Sequence, residues 1–404
     1  MNHRRNGGRS LFTRARSKYP SRARMLSRLL TGILATAPVA AAAQSSVTLY
    51  GLIDTGINYR TSAGITSSGK PGSALVLASG NDFTSRWGLL GYEELGGGMK
   101  AIFQLENGFS AVTGAGNFSV PFPNDTNSLF DRMAIVGIKS PLGTVRLGRN
   151  YSPFYEGVVA GDTAISNFGS MSLVVMSNSS NVNPKLGPAG EISGINSRVN
   201  GGLMYAWVNN SVKYTIPDNT YGFSGSALYS FGGTAGSIQN KSTWSANLDW
   251  TNGTLGLISG YFDAKDPSGL TNNPWLRAYA LGITYVFGSV KTGFEFSKFR
   301  NPTTGANQNF YYVSTSWQTT PFLSFVADYT HLQDLQNSSA GSNVYRVGTT
   351  YFLSKSSSIY ADIGYADNKS QGVLPGGEGA TPLLTPGLIG RNQLAIAAGI
   401  RKLF

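Results

Sequence analysis

From Val47 to the end of the chain, apolar and polar residues alternate with period two, in segments of about ten residues. Over 47–59 the odd positions read Val47, Leu49, Gly51, Ile53, Thr55, Ile57 and Tyr59, against Thr48, Tyr50, Leu52, Asp54, Gly56 and Asn58 at the even ones. One face is apolar and the other mixed, which is the periodicity of a strand and not of a helix. Sixteen such segments are predicted: 47–59, 85–93, 99–109, 130–139, 144–150, 203–214, 222–231, 242–251, 254–263, 277–287, 289–299, 310–319, 322–332, 343–353, 357–366 and 392–404.

The connections alternate in length. Those at 94–98, 140–143, 217–221, 252–253, 288, 320–321 and 354–356 are short, whereas 60–84, 110–129, 151–202, 232–241, 264–276, 300–309, 333–342 and 367–391 are long. Short turns at one end and long loops at the other describe an up-and-down antiparallel meander. Strands of soluble sandwiches usually run about 5–6 residues, and a tilted strand that crosses a bilayer needs about 9–11. Aromatic residues recur near segment ends, for example Tyr59, Trp87, Tyr92, Phe109, Tyr261, Phe262, Tyr285 and Phe287. The reading is an all-β, 16-stranded antiparallel transmembrane β-barrel. Closure follows because an open sheet edge in hydrocarbon leaves backbone groups unsatisfied, and a barrel of about 16–18 strands encloses an aqueous channel.

Composition removes the competitors. Among 404 residues there is no cysteine, so neither a disulfide-stapled scaffold nor a cysteine zinc site is available. The chain is 41% hydrophobic and 13% charged, which is enough apolar material to avoid disorder. The formal charge of +12 is misleading, because residues 1–43 hold nine basic residues and no acidic one. Residues 44–404 carry 23 basic against 20 acidic residues, so nucleic acid is not an expected partner.

Those first 43 residues read as a secretory signal. Arg28 precedes the apolar stretch 29–39, and Ala40–Ala43 supplies a small-residue cleavage site before Gln44. Met25 as the start gives a signal of ordinary length and makes 1–24 an upstream extension; the alternative is a long but genuine basic region. Either way, 44–404 is expected to be one exported barrel domain.

Several stretches resemble the Gram-negative general porins, in particular the neisserial and burkholderial branch. They are "SSVTLYGLIDTGINY" (45–59), "SRWGLLGYEELGGGMKAIFQLENGF" (85–109), "DRMAIVGI" (131–138), "LGTVRLGRNYSPFYE" (142–156), "NNSVKY" (209–214) and the terminal "GIRKLF" (399–404). The resemblance spans nearly the whole mature chain. It implies an outer-membrane channel for passive diffusion of small hydrophilic solutes and ions, without cofactor, assembled as a homotrimer in lipid and lipopolysaccharide. It also implies that Phe404 is the signal read by the barrel assembly machinery; Ile396, Ala398 and Ile400 share its parity.

In such porins the third long loop folds into the barrel, and here that loop is 151–202. Its Glu156 and Asp162 are the expected acidic side of a constriction, unless the loop packs outward at the mouth. The resemblance assigns the basic wall to Arg86, Arg132 and Arg198. By parity Arg86 stands opposite Trp87 and Leu89, and Arg132 opposite Met133 and Ile135, which is expected to turn both toward the lumen; a charge on the lipid face would cost roughly 2–4 kcal/mol at midplane. Lys100, Glu106, Arg146 and Lys213 have lumen parity as well. Leu52, Leu90 and Trp207 stand where the branch commonly carries basic residues, which argues against strong anion selectivity.

An enzyme is not expected. Barrel hydrolases need histidine beside serine or paired acids, and the mature chain has only His331, at a strand end. No metal site is expected either. Two other functions stay open: a substrate-selective channel with a saturable loop site, and a surface barrel whose loops bind partners.

Overall fold

Each of the sixteen segments coincides with a strand in the computed structural model, which describes residues 46–116, 128–164, 206–217, 220–303, 305–372, 374 and 388–404. In chain order the first strands are β1 (Ser46–Ile65), β2 (Pro71–Ser79), β3 (Arg86–Gly96), β4 (Met99–Gly108), β5 (Met133–Ser140) and β6 (Gly143–Tyr151). A helix, α1 (Pro153–Gly161), comes next. It leads to β7 (Trp207–Thr215), β8 (Phe223–Ser230), β9 (Thr243–Thr251), β10 (Leu255–Lys265), β11 (Pro274–Phe287) and β12 (Val290–Arg300). The last are β13 (Asn307–Thr320), β14 (Leu323–Asp334), β15 (Ser342–Ser354), β16 (Ser357–Asn368) and β17 (Gln393–Leu403).

Every neighbouring pair is antiparallel, and β17 returns to β1 with Leu52 opposite Leu403 and Arg60 opposite Ala395, closing the sheet. The seventeen strands fill sixteen positions, because β2 and β3 lie end to end along one edge of β1. This corrects the reading of 60–84 as a plain loop. Leu75 and Leu77 pair with Tyr59 and Ile57 and extend the outer face of β1 upward. Between the two strands the chain leaves the ladder, and Asp54 takes the place of the missing partners. Its carboxylate accepts from the N–H of Asp82 at 3.0 Å and of Phe83 at 2.6 Å, and its carbonyl accepts from the Gly80 N–H.

Parity sorts the surface as the sequence predicts on β1, β4, β6 and β7. Val47, Leu49, Ile57, Leu147, Leu281 and Val347 are exposed on the outer face, a continuous apolar band of a kind that soluble monomers do not carry. Among the aromatics expected near strand ends, Phe262 differs: it is buried inside the barrel against Phe154 of α1.

Candidate pore constriction

The structure turns the start of the third long loop into a helix that enters the lumen. Ser152 caps it by accepting the Tyr155 N–H at 3.1 Å, and Pro153 occupies the first turn, where its missing N–H costs nothing. That Ser-Pro pair is the sequence signal for the helix, which the strand periodicity left unread. Phe154 is fully buried and packs edge-on against Phe299 at 5.8 Å, beside Phe262, Ala278 and Ala280. Glycine lets the backbones come this close. A Cβ on Gly157 would lie 2.5 Å from the Ser259 carbonyl oxygen, and one on Gly293 would lie 2.6 Å from that of Gly161.

Wall side chains fix both ends of the segment. Near the helix start the Phe154 N–H donates to Ser245 Oγ at 2.9 Å. Beyond its end the Thr163 N–H donates to Ser314 Oγ at 2.9 Å, and Arg346 donates to the Ala164 carbonyl at 3.1 Å. Arg346 is itself buried between Asp328 and Asp362, at 3.1 and 2.7 Å. Arg346, Asp328 and Asp362 face the lumen from three adjacent strands, and register alone could have grouped them; the sequence reading missed them.

The arginine wall centres on Glu106. Its Oε1 takes Arg132 Nε at 2.6 Å; its Oε2 lies 3.7 Å from Arg86 Nε and accepts the Tyr50 hydroxyl at 2.9 Å. Arg86 keeps 26% of its side chain exposed and Arg132 only 7%. The Arg132 guanidinium is enclosed by the Tyr151 hydroxyl and by the Trp207 ring at 5.3 Å. The parity argument for Arg132 fails. Met133 lies opposite Glu106 and faces the lumen with Ile135, while Val136 and Ile138 point to lipid. Arg132 precedes β5 in a bend, so strand alternation does not apply to it.

The remaining candidates separate into distinct groups. Glu156, 38% exposed, meets Lys213 at 2.5 Å and accepts the Ser226 hydroxyl. Lys213 is buried and also donates to the Tyr151 carbonyl. Arg146 is the cross-strand neighbour of Lys213. Lys100 pairs with Glu94 at 2.5 Å close to the first short turn, away from the constriction. Asp162 is not beside Glu156: it is buried where the segment meets the far wall, its carboxylate accepting the Ala164 N–H, with Glu295 and Tyr312 packed at the adjacent Gly161. Arg198 lies outside the described residues. Leu52 and Leu90 face the lumen, and Trp207 stacks on Tyr155 and packs at a tilt against Tyr151.

Charge is therefore divided across the channel. Arg86, Arg132, Arg146 and Lys213 outnumber Glu106 on the β3–β7 side, whereas Glu295, Asp328 and Asp362 outnumber Arg346 on β12–β16, half the circumference away. His331 bonds Asn343 Oδ1 at 2.8 Å on the outer face, and among the described residues no three metal-ligating side chains converge.

A family model described as Gram-negative porin matches residues 30–371. Outer membrane porin protein 32 of Delftia acidovorans is 27% identical over 390 residues, covering 94% of this chain and all of the relative. A major outer membrane protein P.IB of Neisseria gonorrhoeae is 32% identical over 245 residues, 59% of this chain and 55% of its own. Among solved structures, an anion-selective porin from Comamonas acidovorans superposes with a TM-score of 0.70 at 24% identity, covering 89% of this chain and all of that one. The trimer form of in-vitro folded OmpT of Vibrio cholerae gives 0.58 at 15% identity, covering 89% and 99%. With a closed barrel, an inward-folded helix and a family match over most of its length, the chain belongs to the Gram-negative porins, outer-membrane channels for passive diffusion.

Proposed function

We propose that this porin sorts small hydrophilic solutes at a constriction formed by α1 and the opposed charges of the lumen, with only a modest preference for anions. The observation that carries this reading is the course of 153–164, bonded to Ser245 at one end and to Ser314 and Arg346 at the other. Arg86 and Glu156 are the members that meet water directly. Arg132, buried behind Tyr151 and Trp207, contributes its field and not a contact surface. A transverse field of this kind favours polar solutes that can align in it and slows apolar ones. Because Leu52, Leu90 and Trp207 add no charge, the preference for anions stays small.

The same reading extends to assembly and export. Residues 1–43 act as a cleaved signal, and three copies assemble in the outer membrane. The outer face of Phe404, whose backbone exchanges two hydrogen bonds with Gly51, serves as the assembly signal. Lipopolysaccharide phosphates would meet Lys298 and Arg300, on the outer row that also carries Tyr279 and Asn307.

The test is single-channel conductance of the refolded mature chain in a planar bilayer under a KCl gradient. Steps grouped in threes, a conductance linear in salt and a small reversal potential of the chloride sign are expected. Well-folded protein that gives no steps would overturn the channel reading, and a potassium-sided potential would overturn the assigned charge balance.

A further inference from the structure

A pocket of about 310 Å³ lies on the lumen side between the short turn at 354–357 and Arg86 of the constriction wall. Its walls join apolar side chains, Leu52, Phe83 and Leu403, to Arg86, Arg401 and Ser358. All six belong to the lumen side of adjoining chain segments: Leu52 lies opposite both Arg86 and Leu403, and Ser358 opposite Arg401.

Two of these polar groups are incompletely used. Ser358 is 2% exposed, yet among the described residues its hydroxyl has no hydrogen-bond partner. The Arg401 side chain is 13% exposed; its Nη1 holds Asp82 at 2.7 Å, whereas its buried Nε–H has no partner among the described residues. Leaving a buried donor unmade costs about 1–3 kcal/mol, so such groups call for an explanation. Here two stand across one strand pair, in one pocket, beside a second guanidinium. A hydroxyl and a guanidinium N–H on cross-strand partners supply the two donors that the two oxygens of a carboxylate accept from. Leu52, Leu403 and the Phe83 ring, the last lying under the Arg401 guanidinium at 4.6 Å, match an apolar body and not a hydrated ion. The exposed Lys355 at the adjoining turn adds positive charge at the entrance.

We propose that this pocket is a binding site for small amphiphilic monocarboxylates, with the carboxylate on Ser358 and Arg401 and an aromatic or branched body against Leu52, Phe83 and Leu403. It rests on the reading of the chain as a channel and adds a saturable site to it. Such solutes would be held on the short-turn side of the constriction, next to Arg86, whereas inorganic ions would pass without pausing.

Benzoate is the probe, with acetate and benzyl alcohol as the charge-only and apolar-only controls. In the bilayer, benzoate is expected to reduce KCl current saturably, more strongly from the short-turn side, and neither control should do so. Ser358→Ala and Arg401→Lys, which keeps the charge opposite Asp82 but loses the Nε donor, should each raise the half-blocking concentration by about fivefold or more, as loss of one hydrogen bond implies. Calorimetric titration of benzoate into the folded protein in detergent gives a second readout that does not depend on conduction. Equal effects of benzoate and acetate, or unchanged benzoate affinity in both variants, would overturn the site and mean that water alone satisfies the two donors. Benzoate binding by folded protein that does not conduct would instead keep the site and overturn the channel.

Discussion

At the scale of single residues, burial decides which charges act on solutes and which act on the fold. Glu106 holds Arg132 inside the barrel, and removing one partner of a buried ion pair costs roughly 3–5 kcal/mol because the other charge is stranded. Glu106→Gln should therefore lower the melting temperature of the detergent-solubilised protein clearly. Arg86 is partly open to water and bound to Glu106 only loosely, at 3.7 Å. Arg86→Ser should leave the melt nearly unchanged and move the reversal potential toward potassium. Thermal unfolding and a salt-gradient measurement on both variants check this; a large melt shift in Arg86→Ser would reverse the division of roles.

Among elements, α1 owes its place to packing more than to helix propensity. It is short, and its own cap is worth about 1 kcal/mol, whereas a buried phenylalanine truncated to alanine costs about 3–5 kcal/mol. Phe154→Ala should loosen the helix from Phe262 and Phe299, giving a larger and noisier single-channel conductance while the barrel stays folded. Ser152→Ala should have a much smaller effect in the same recording. If Phe154→Ala conducts like the parent, the helix does not set the narrowest section. Asp54 shows the same economy of local repair in the split between β2 and β3: one carboxylate and one carbonyl replace the ladder where the chain turns away.

For the whole molecule, the bilayer sets what the outer face tolerates. Leu281 and Ile283 lie on that face, and an arginine at the midplane costs roughly 2–4 kcal/mol. Leu281→Arg should lower the folded fraction in urea titrations of protein refolded into lipid vesicles. Phe404 separates folding from cellular assembly. Its deletion removes two backbone bonds to Gly51, so refolding into vesicles should proceed while delivery to the outer membrane, measured by fractionation, falls sharply. Normal delivery without Phe404 would show that it is not the assembly signal.

The barrel, its sixteen positions and its lipid face were legible in the sequence because each depends on a period of two and on turn spacing, both local properties of the chain. Val47, Leu49 and Ile57 announce the outer face of β1 without any knowledge of what pairs with them. Lys213 and Glu106 could likewise be assigned to the lumen, since parity persists along a regular strand. Arg132 could not, because it precedes its strand and its direction comes from Glu106, Tyr151 and Trp207. The placement of Asp162 by the far wall, the clamp of Arg346 on Ala164, and the meeting of Ser358 with Arg401 and Phe83 all join residues far apart in sequence. They exist only once closure of β17 onto β1 and entry of α1 into the lumen have fixed which side chains share a space, and no periodicity within a segment encodes that.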